Sequence, residues 1–382
     1  MLERIILLFY LCINLTKGIS PVEPEFQATK LFENNENELI LIFTGDPQYY
    51  FPCTLTNKEC KEKAEECRKK NGLNILSNRI NKTGLSFSQI EAFELECIQI
   101  ESKVSNSAQR RSIFDLNRRL INKPKALIIN GDLTNYGHAR ELTKFKEEWM
   151  SLPLYILAGL GNHDYENNVN DCIANQCANN MLYWFVRKYA PQAKLHLDYK
   201  SSTDFFKTTY KGSFAYARTL CIENGQTCVR VIQLNNRPDY ATSVQSASQW
   251  EVQSSLQWLK RELEATHGNR SWPILINLHN LDKNAEIRIR NILSLWFRRP
   301  ENQNIIRKVA IFFAHMHERH ELKTVCIAGT TVPFVYVGSV PHNRFTTVKF
   351  TDSSAYFFFM KSNINTPNTS IIARNDFKWK PC

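Results

Sequence analysis

The chain has 382 residues, with 48 lysines and arginines against 37 aspartates and glutamates, a formal net charge of +11. Apolar residues make up 43% of it and aromatic residues 12%, which is enough to bury a core and excludes disorder throughout the chain. The basic residues are scattered through helical stretches and no nucleic-acid module occurs, so we interpret them as solvated faces rather than a nucleic-acid groove.

The first residues predict export. An apolar run at residues 5–15 follows a basic residue and precedes small residues, the pattern of a signal peptide, which we place at residues 1–18. This run is too short to span a membrane, and no later apolar stretch is long enough, so we expect no transmembrane segment. Ten cysteines remain beyond the signal, an even number typical of a secreted or lumenal disulfide-bonded protein. Acceptor sites for glycans are predicted at Asn81, Asn269 and Asn368.

Apolar runs and helical patterns alternate along the chain. Five nearly unbroken apolar runs predict strands covered on both faces, at residues 39–44, 126–130, 154–158, 274–278 and 309–314. Helical patterns cover residues 108–122, 139–150 and 248–266, the last including Trp250 and Trp258 as core residues. Strands that alternate with helices favour a layered α/β architecture. Strand-like sequence at 331–337, 345–350 and 355–360 predicts a second sheet.

No Pro/Gly/Ser-rich linker or internal repeat divides the chain, which favours one domain at residues 38–362. An N-terminal extension at 19–37 would precede it and a C-terminal tail at 363–382 would follow it. Residues from about 49 to 100 contain four cysteines and charged helical sequence, and we interpret them as a disulfide-rich insertion after the first strand.

Proximity along the chain suggests the disulfide pairs. Cys221 with Cys228 would bridge a hairpin, Cys172 with Cys177 would close a short loop, and Cys326 with Cys382 would hold the tail. The other four would then pair among themselves in a combination that stays open: Cys53, Cys60, Cys67 and Cys97. A zinc site in that cluster is the less favoured alternative, because no Cys-x-x-Cys spacing occurs there.

All five predicted strands end in side chains that can bind a metal. Binding sites of α/β sheets form outside the carboxyl ends of the strands. A single Asp after a strand is usually a turn former or a helix cap, but five such strand ends in succession are hard to explain that way. The residues are Asp46 and Gln48, then Asp132, then Asn162 with His163 and Asp164, then His279, and finally His315 and His317.

This set of residue types suits the hydrolysis of a phosphate ester. Two divalent cations about 3.5–4 Å apart neutralise the phosphate charge, lower the pKa of a bound water and hold the attacking and leaving oxygens in line. Carboxylates offset the charge of the cations, and neutral imidazole and amide ligands fill the other positions. The sequence therefore predicts two divalent metal ions as cofactors, with Mn, Zn, Fe and Mg all left open.

The strand-end residues fall into five sequence blocks that carry a family resemblance. In order and spacing the blocks resemble the signature blocks of the calcineurin-like metallophosphoesterases, over residues from about 39 to 361. The resemblance implies a four-layer α/β/β/α sandwich of two mixed sheets flanked by helices, with a dinuclear metal site at the carboxyl ends of the strands. The blocks are Gly45-Asp46-Pro47-Gln48, Gly131-Asp132-Leu133-Thr134-Asn135, Gly161-Asn162-His163-Asp164, Leu278-His279-Asn280 and Ala314-His315-Met316-His317.

The resemblance also implies a role for each block residue. The first metal would be held by Asp46, Gln48, Asp132 and His317. The second metal would share Asp132 and be completed by Asn162, His279 and His315. A metal-bound hydroxide would attack the phosphate, His163 would protonate the leaving oxygen, and Asp164 would orient the His163 imidazole. Substrate contacts are predicted, from their place beside the site, for Tyr49, Asn135 and His342.

Two departures from the family pattern, and one difference from a branch of the family, bear on function. Gln48 stands where the first block usually has His, which predicts a weaker or more oxygen-preferring first metal site. Ala314 stands where the last block usually has Gly, a minor change unless that position needs a positive φ. Asn135 stands where the purple acid phosphatases of this family have a metal-binding Tyr, so we predict that the protein is outside that branch.

The resulting prediction is a secreted, metal-dependent phosphoesterase acting on phosphate mono- or diesters. The substrate is left open between a nucleotide, a phospholipid headgroup and a phosphoprotein, and so is the oligomeric state. The alternative hypothesis is a secreted binding protein that retains the fold but is impaired in catalysis. Gln48 motivates this alternative.

Overall fold

The computed structural model describes residues 38–54, 58–73, 85–204, 207–223, 225–266, 272–302, 305–366 and 368–382. The predicted signal peptide, the N-terminal extension, and the glycan sites at Asn81 and Asn269 lie outside these residues. The third predicted glycan site, Asn368, is exposed. No helix of the described segments is long and apolar enough to cross a membrane.

The described residues form α-helices and strands that alternate in the first half of the chain and are mainly strands in the second. The α-helices are α1 (Lys58–Lys70), α2 (Phe87–Ile98), α3 (Ile100–Arg119), α4 (Ala139–Glu148), α5 (Asn162–Tyr165), α6 (Gln176–Tyr189), α7 (Leu256–Ala265) and α8 (Lys283–Phe297). The strands are β1 (Leu39–Thr44), β2 (Ala126–Ile129), β3 (Ile156–Ala158), β4 (Leu195–Leu197), β5 (Lys200–Thr203), β6 (Thr208–Gly212), β7 (Tyr216–Cys221), β8 (Cys228–Gln233), β9 (Thr242–Gln245), β10 (Gln249–Val252), β11 (Ile274–Asn277), β12 (Val309–Phe313), β13 (Leu322–Ile327), β14 (Thr330–Tyr336), β15 (Arg344–Phe350), β16 (Ser354–Ser362) and β17 (Thr369–Lys378).

Two large mixed sheets form the centre of the fold. The first has the strand order β17-β16-β15-β1-β2-β3, and the second has the order β13-β14-β12-β11-β8-β7-β4. Strands β1, β2 and β3 run parallel to one another, as do β8, β11, β12 and β14. The two sheets pack face to face, since Phe43 of β1 stacks on Phe312 of β12 with ring centroids 4.0 Å apart.

Helices cover the outer faces of both sheets. Apolar side chains of α7 and α8, including Trp258 and Ile289, pack with Ile276 and Ile311 of the second sheet in a separate hydrophobic cluster. Side chains of α3, α4 and α6 belong to the main cluster with β1, β2 and β3. Burial on both faces explains why these strands are nearly unbroken apolar runs. The predicted arrangement of helices around mixed sheets is confirmed.

A third, four-stranded sheet was not predicted. It has the order β5-β6-β10-β9, and β10 occupies part of the 248–266 segment that we expected to be helical throughout. Trp250 is buried as predicted, but on this strand, where it stacks on Tyr210 at 4.2 Å and donates its indole N–H to Asn179 Oδ1 at 2.9 Å. Strand pairing and aromatic packing therefore override the helical spacing of the apolar residues.

The C-terminal strands do not form a sheet of their own, contrary to the prediction. Strand β14 pairs with β12 in the second sheet, whereas β15 pairs with β1 in the first. The chain crosses between the sheets at residues 337–343, where Val340 donates its main-chain N–H to the Gly45 carbonyl at 3.1 Å. The predicted tail also contributes to the fold, because β17 pairs with β16 at the edge of the first sheet.

All ten cysteines outside the predicted signal form disulfides. The pairs Cys172–Cys177, Cys221–Cys228 and Cys326–Cys382 are those suggested by proximity. The four cysteines of the insertion pair as Cys53–Cys60 and Cys67–Cys97. A zinc site formed by those four thiols is therefore excluded.

Candidate metal centre

The five strand-end loops meet at one edge of the two packed sheets. Ligand atoms of Asp132, His279 and His315 lie within 4.8 Å of one another, and the same holds for Asp46, Asp132 and His317. Asp132 belongs to both groups, so its carboxylate lies between two positions that suit a cation. This division of the residues is the one that the family resemblance implies.

Four residues of these loops have a left-handed backbone. Positive φ angles occur at Asp46 (56°), Gln48 (42°), Asp132 (51°) and His315 (68°). Such conformations cost about 1–3 kcal/mol each in residues other than glycine and persist only where the surroundings hold them. Here the first two loops are tied together, because Asp46 N–H donates to the Gly131 carbonyl at 3.0 Å and Gln48 N–H donates to the Asp132 carbonyl at 2.7 Å.

Several buried oxygens at this edge have no partner. Asp46 is 0% exposed and Gln48 is 1% exposed, yet neither Asp46 carboxylate oxygen nor Gln48 Oε1 has a hydrogen-bond partner among the described residues. The nearest basic group is His317, whose Nε2 lies 3.5 Å from Asp46 Oδ1. A buried carboxylate without hydrogen bonds is strongly unfavourable unless a cation compensates it. The residues present therefore fit a divalent cation.

His279 is held with one ring nitrogen toward the site. Its Nδ1 donates to the Asn130 carbonyl at 2.7 Å, while Nε2 lies 3.1 Å from Asp132 Oδ2 and 3.0 Å from Asn162 Oδ1. Burial by itself lowers the pKa of His279, but the Asp132 carboxylate raises it to about 9. For Asp132 the two effects have the opposite signs. Burial raises the pKa of its carboxyl group, and the neighbouring His279 lowers that pKa to about 2. A hydrogen bond at Nδ1 is the usual arrangement for a histidine that binds a metal through Nε2.

His163 is oriented by a group that the sequence analysis did not identify. Its Nδ1 donates to the main-chain carbonyl of Asn135 at 2.8 Å, and its main-chain N–H donates to Asp132 Oδ1 at 2.9 Å. The expected contact is not formed within the described segments, where the His163 imidazole bonds to Asn135 and not to Asp164. The Asp164 carboxylate instead accepts main-chain N–H groups of Leu133, Thr134 and Gly161.

Asp164 therefore acts as a clamp between the second and third loops. Its carboxylate is fully buried, and burial together with the neighbouring Asp132 carboxylate raises its pKa to about 7 despite the donors from Gly161 and Leu133. Spacing along the chain could not reveal this role, because two of the three main-chain donors, Leu133 and Thr134, come from the Asp132 loop.

The three predicted substrate contacts have different environments. Tyr49 is 1% exposed and its hydroxyl donates to Glu148 Oε2 at 2.6 Å, so it offers no surface to a substrate, and we do not retain it. Asn135 borders the site through Gln48, since Gln48 Nε2 donates to Asn135 Oδ1 at 3.3 Å. His342 is half-buried on the loop that crosses between the sheets, and the burial of the ring lowers its pKa.

Two aromatic residues beside the site were not identified from the sequence. The ring of Phe51 meets His317 edge-on at 5.7 Å, and the exposed ring of Tyr136 meets His163 edge-on at 6.5 Å. Their adjacency to the first and second sequence blocks was the signal that could have identified them.

A polar stripe on helix α3 supports the first loop and was also missed. Asn106 Nδ2 donates to the Pro47 carbonyl at 2.7 Å, and Ser102 Oγ donates to the Gln48 carbonyl at 3.4 Å. Gln109 lies next on this face and accepts from Thr44 Oγ1 at 3.2 Å. Small polar residues repeated at helical spacing were the available signal, but a polar stripe usually indicates a solvent-exposed face.

The Ala314 substitution is accommodated without backbone strain. The left-handed residue of this loop is His315, and Ala314 is not among the residues with positive φ. Its methyl group fits because Gly45 faces it, where an added Cβ would lie only 2.3 Å from the Ala314 Cβ.

The polar sequence around His138, His267 and His320 predicts that these three histidines lie at the surface. His267 lies outside the described residues. His138 is exposed, with Nε2 3.0 Å from Asp171 Oδ2. His320 is only partly exposed, because its Nε2 lies 3.0 Å from Thr346 Oγ1 and its ring packs edge-on against Phe359 at 4.7 Å. Burial, with a smaller contribution from Arg344, lowers the pKa of His320 to about 3.

Comparisons with known proteins give low similarity to individual proteins. A purple acid phosphatase from yellow lupin (Lupinus luteus) seeds is 8% identical with a TM-score of 0.46, over 89% of this chain and 54% of that one. A 5'-nucleotidase from Candida albicans is 12% identical with a TM-score of 0.39, over 90% and 52%. A 5'-nucleotidase precursor from Thermus thermophilus is 14% identical with a TM-score of 0.39, over 89% and 54%. The chain thus spans about half the length of these structures, and no curated protein matches it.

In contrast to these individual structures, the comparison with family models identifies the family of the chain. The model of the calcineurin-like phosphoesterase family matches residues 103–319, more than half of the chain. The matched segment contains four of the five strand-end blocks, from Asp132 to His317, and only the Asp46 block lies before it. The chain belongs to the calcineurin-like phosphoesterase family.

Proposed function

We propose that this protein is a secreted or lumenal phosphoesterase that hydrolyses phosphate mono- or diesters with two bound divalent cations. The observation that carries the proposal is the convergence of two ligand groups on one shared carboxylate, that of Asp132. Beside it lie buried oxygens of Asp46 and Gln48 that have no hydrogen-bond partner among the described residues. The five disulfides support an oxidising compartment.

The candidate ligands divide into two sets. Asp46, Gln48, Asp132 and His317 would hold the first cation, and Asp132, Asn162, His279 and His315 would hold the second. The cations would supply positive charge to the phosphate oxygens and lower the pKa of the attacking water.

His163 would act as the general acid. Because its Nδ1–H donates to the Asn135 carbonyl, Nε2 is the nitrogen left to carry a proton to the leaving oxygen. The bond from the His163 main-chain N–H to Asp132 keeps the ring next to the candidate metal positions. Asp164 would hold this loop in place rather than contact the imidazole.

The substrate class is proposed as a small phosphate ester, with a nucleotide, a phospholipid headgroup and a phosphoprotein as the classes to compare. The cysteine-rich insertion would limit substrate size, since Phe51 near its start lies edge-on to His317, with ring centroids 5.7 Å apart. Asn135 at the position of the purple acid phosphatase tyrosine supports a colourless enzyme.

The test is to purify the secreted protein, quantify bound metal, and assay a chromogenic monoester and diester with added Mn, Zn, Mg or Fe. We expect His163→Ala to lower turnover about 10²–10⁴-fold with metal content nearly unchanged. We expect Asp132→Ala to remove both metals and the activity, because both ligand groups share this carboxylate.

The matched control is His196→Ala, at an exposed histidine, which should retain metal and turnover. Wild-type protein that binds less than one metal per chain and turns over neither ester would instead favour the impaired binding protein. Loss of metal in His163→Ala would contradict the role given to this residue.

A further inference from the structure

We propose that Asn135 is a positioning residue that turns the Gln48 amide so that its oxygen, rather than its nitrogen, faces the first metal position. The inference rests on the proposed function in one respect, namely that Gln48 is a metal ligand. Asn135 itself contacts neither metal nor substrate in this proposal.

A glutamine ligand poses an orientation problem that a histidine does not. The two ends of its amide have nearly the same shape, but only the oxygen has lone pairs for a cation, whereas the nitrogen carries two donors. A flipped amide would direct N–H groups at the cation and lose the ligand. A glutamine at this position therefore needs a neighbour that recognises its NH₂ group.

Asn135 is that neighbour. Gln48 Nε2 donates to Asn135 Oδ1 at 3.3 Å, and both side chains are buried, with exposures of 1% and 5%. The other end of the amide, Oε1, is buried and has no protein partner within the described segments. With Asn135 in the orientation seen here, a flipped Gln48 amide would place Oε1 against Asn135 Oδ1 as two acceptors and leave the two N–H donors of Gln48 without this acceptor. The hydrogen bond therefore selects the orientation that leaves the oxygen for a cation.

The main chain fixes Asn135 independently of its side chain. Its N–H donates to the Tyr49 carbonyl at 2.5 Å, next to a bridge between Tyr49 and Thr134. Its carbonyl accepts the Nδ1–H of His163 at 2.8 Å. Asn135 thus contacts a candidate ligand through its side chain and the candidate acid through its main chain. A side-chain substitution should disturb the first contact and spare the second.

The experiment is a double-mutant cycle between residues 135 and 48 with Mn²⁺ affinity as the readout. We expect Asn135→Ala to lower the affinity for the more weakly bound of the two Mn²⁺ ions about 10–100-fold. This range is typical of residues that orient a metal ligand. In a Gln48→His background the same substitution should change the affinity less than about 3-fold, because an imidazole ligand has no amide to orient. Asn135→Asp, which keeps an oxygen acceptor, should restore near-wild-type affinity.

Two further measurements exclude a merely structural effect. Asn179→Ala removes another buried asparagine, the acceptor of the Trp250 indole, and should lower stability without loss of Mn²⁺ affinity. The pH profile of kcat in Asn135→Ala should keep its basic limb, because the carbonyl that holds His163 remains.

An equal loss of affinity in both backgrounds, or no loss in either, would overturn the inference while the proposed function stands. Wild-type protein that binds no Mn²⁺, Zn²⁺, Mg²⁺ or Fe²⁺ would overturn the proposed function itself.

Discussion

The carboxylate of Asp132 has room at the centre of the site only because residue 161 has no side chain. A Cβ added to Gly161 would lie 2.2 Å from Asp132 Oδ1 and 2.4 Å from its main-chain nitrogen. The φ angle of Gly161 is −103°, which any residue adopts, so space and not backbone conformation requires glycine here. The family block Gly-Asn-His-Asp thus begins with a residue that protects the geometry of another block.

We therefore predict that Gly161→Ala displaces the Asp132 carboxylate and reduces both bound metal and turnover at least about 10-fold. Metal content per chain and phosphodiester turnover are the measurements. Gly329→Ala is the control, since its φ of 81° makes a side chain unfavourable but no atom lies within 4 Å of the added Cβ. That control should lose about 1 kcal/mol of stability and keep its metal. Full metal content in Gly161→Ala would show that the loop can move aside.

At the scale of elements, helix α3 supports the first loop of the site. Asn106 lies at the centre of this contact, because it donates to the Pro47 carbonyl at 2.7 Å and accepts the Trp149 indole N–H at 2.7 Å. The residue is 0% exposed, so both partners depend on it. The helix thereby joins the left-handed loop of Asp46 and Gln48 to the core around α4.

Asn106→Ala should lower the free energy of unfolding by about 2–4 kcal/mol, since it leaves a buried carbonyl and a buried indole N–H without partners. Urea unfolding followed by tryptophan fluorescence is the measurement. Asn117→Ala, on the same helix, removes a solvent-exposed bond to the Pro153 carbonyl and should cost no more than about 0.5 kcal/mol. Similar losses in the two variants would mean that α3 does not hold the loop.

For the whole molecule, the disulfide between Cys326 and Cys382 connects distant parts of the chain. It spans 56 residues and joins the C-terminus to β13 at the edge of the second sheet, while β17 just before it lies at the edge of the first sheet. The Cys221–Cys228 pair spans only 7 residues within one hairpin. A cross-link restricts the unfolded chain more when it closes a longer loop.

Replacing both members of each pair by Ser should therefore destabilise the protein unequally. Loop-closure entropy predicts a loss of about 4 kcal/mol for the Cys326 and Cys382 double variant and about 2 kcal/mol for the Cys221 and Cys228 double variant. Equilibrium urea unfolding of the two variants under the same conditions gives the comparison. A larger loss for the short loop would show that native packing, rather than the unfolded state, dominates the effect.

The sequence alone determined the features that depend on neighbouring residues. Apolar runs that end in Asp, Asn, Gln or His identified five parallel strands and the candidate ligands at their ends, and short separations suggested the Cys172–Cys177 and Cys221–Cys228 pairs. These features are local, because a buried strand needs apolar residues and a polar side chain at its end has no packing reason to be there.

Only the tertiary structure decided which distant groups meet. Strands β14 and β15 are close in sequence but join different sheets, and Trp250 lies on a strand because Tyr210 and Asn179 are its neighbours in space. The Asn135 carbonyl, and not Asp164, holds His163. Such partners are selected by the packing of the two sheets against each other, which involves long-range contacts that spacing along one chain does not encode.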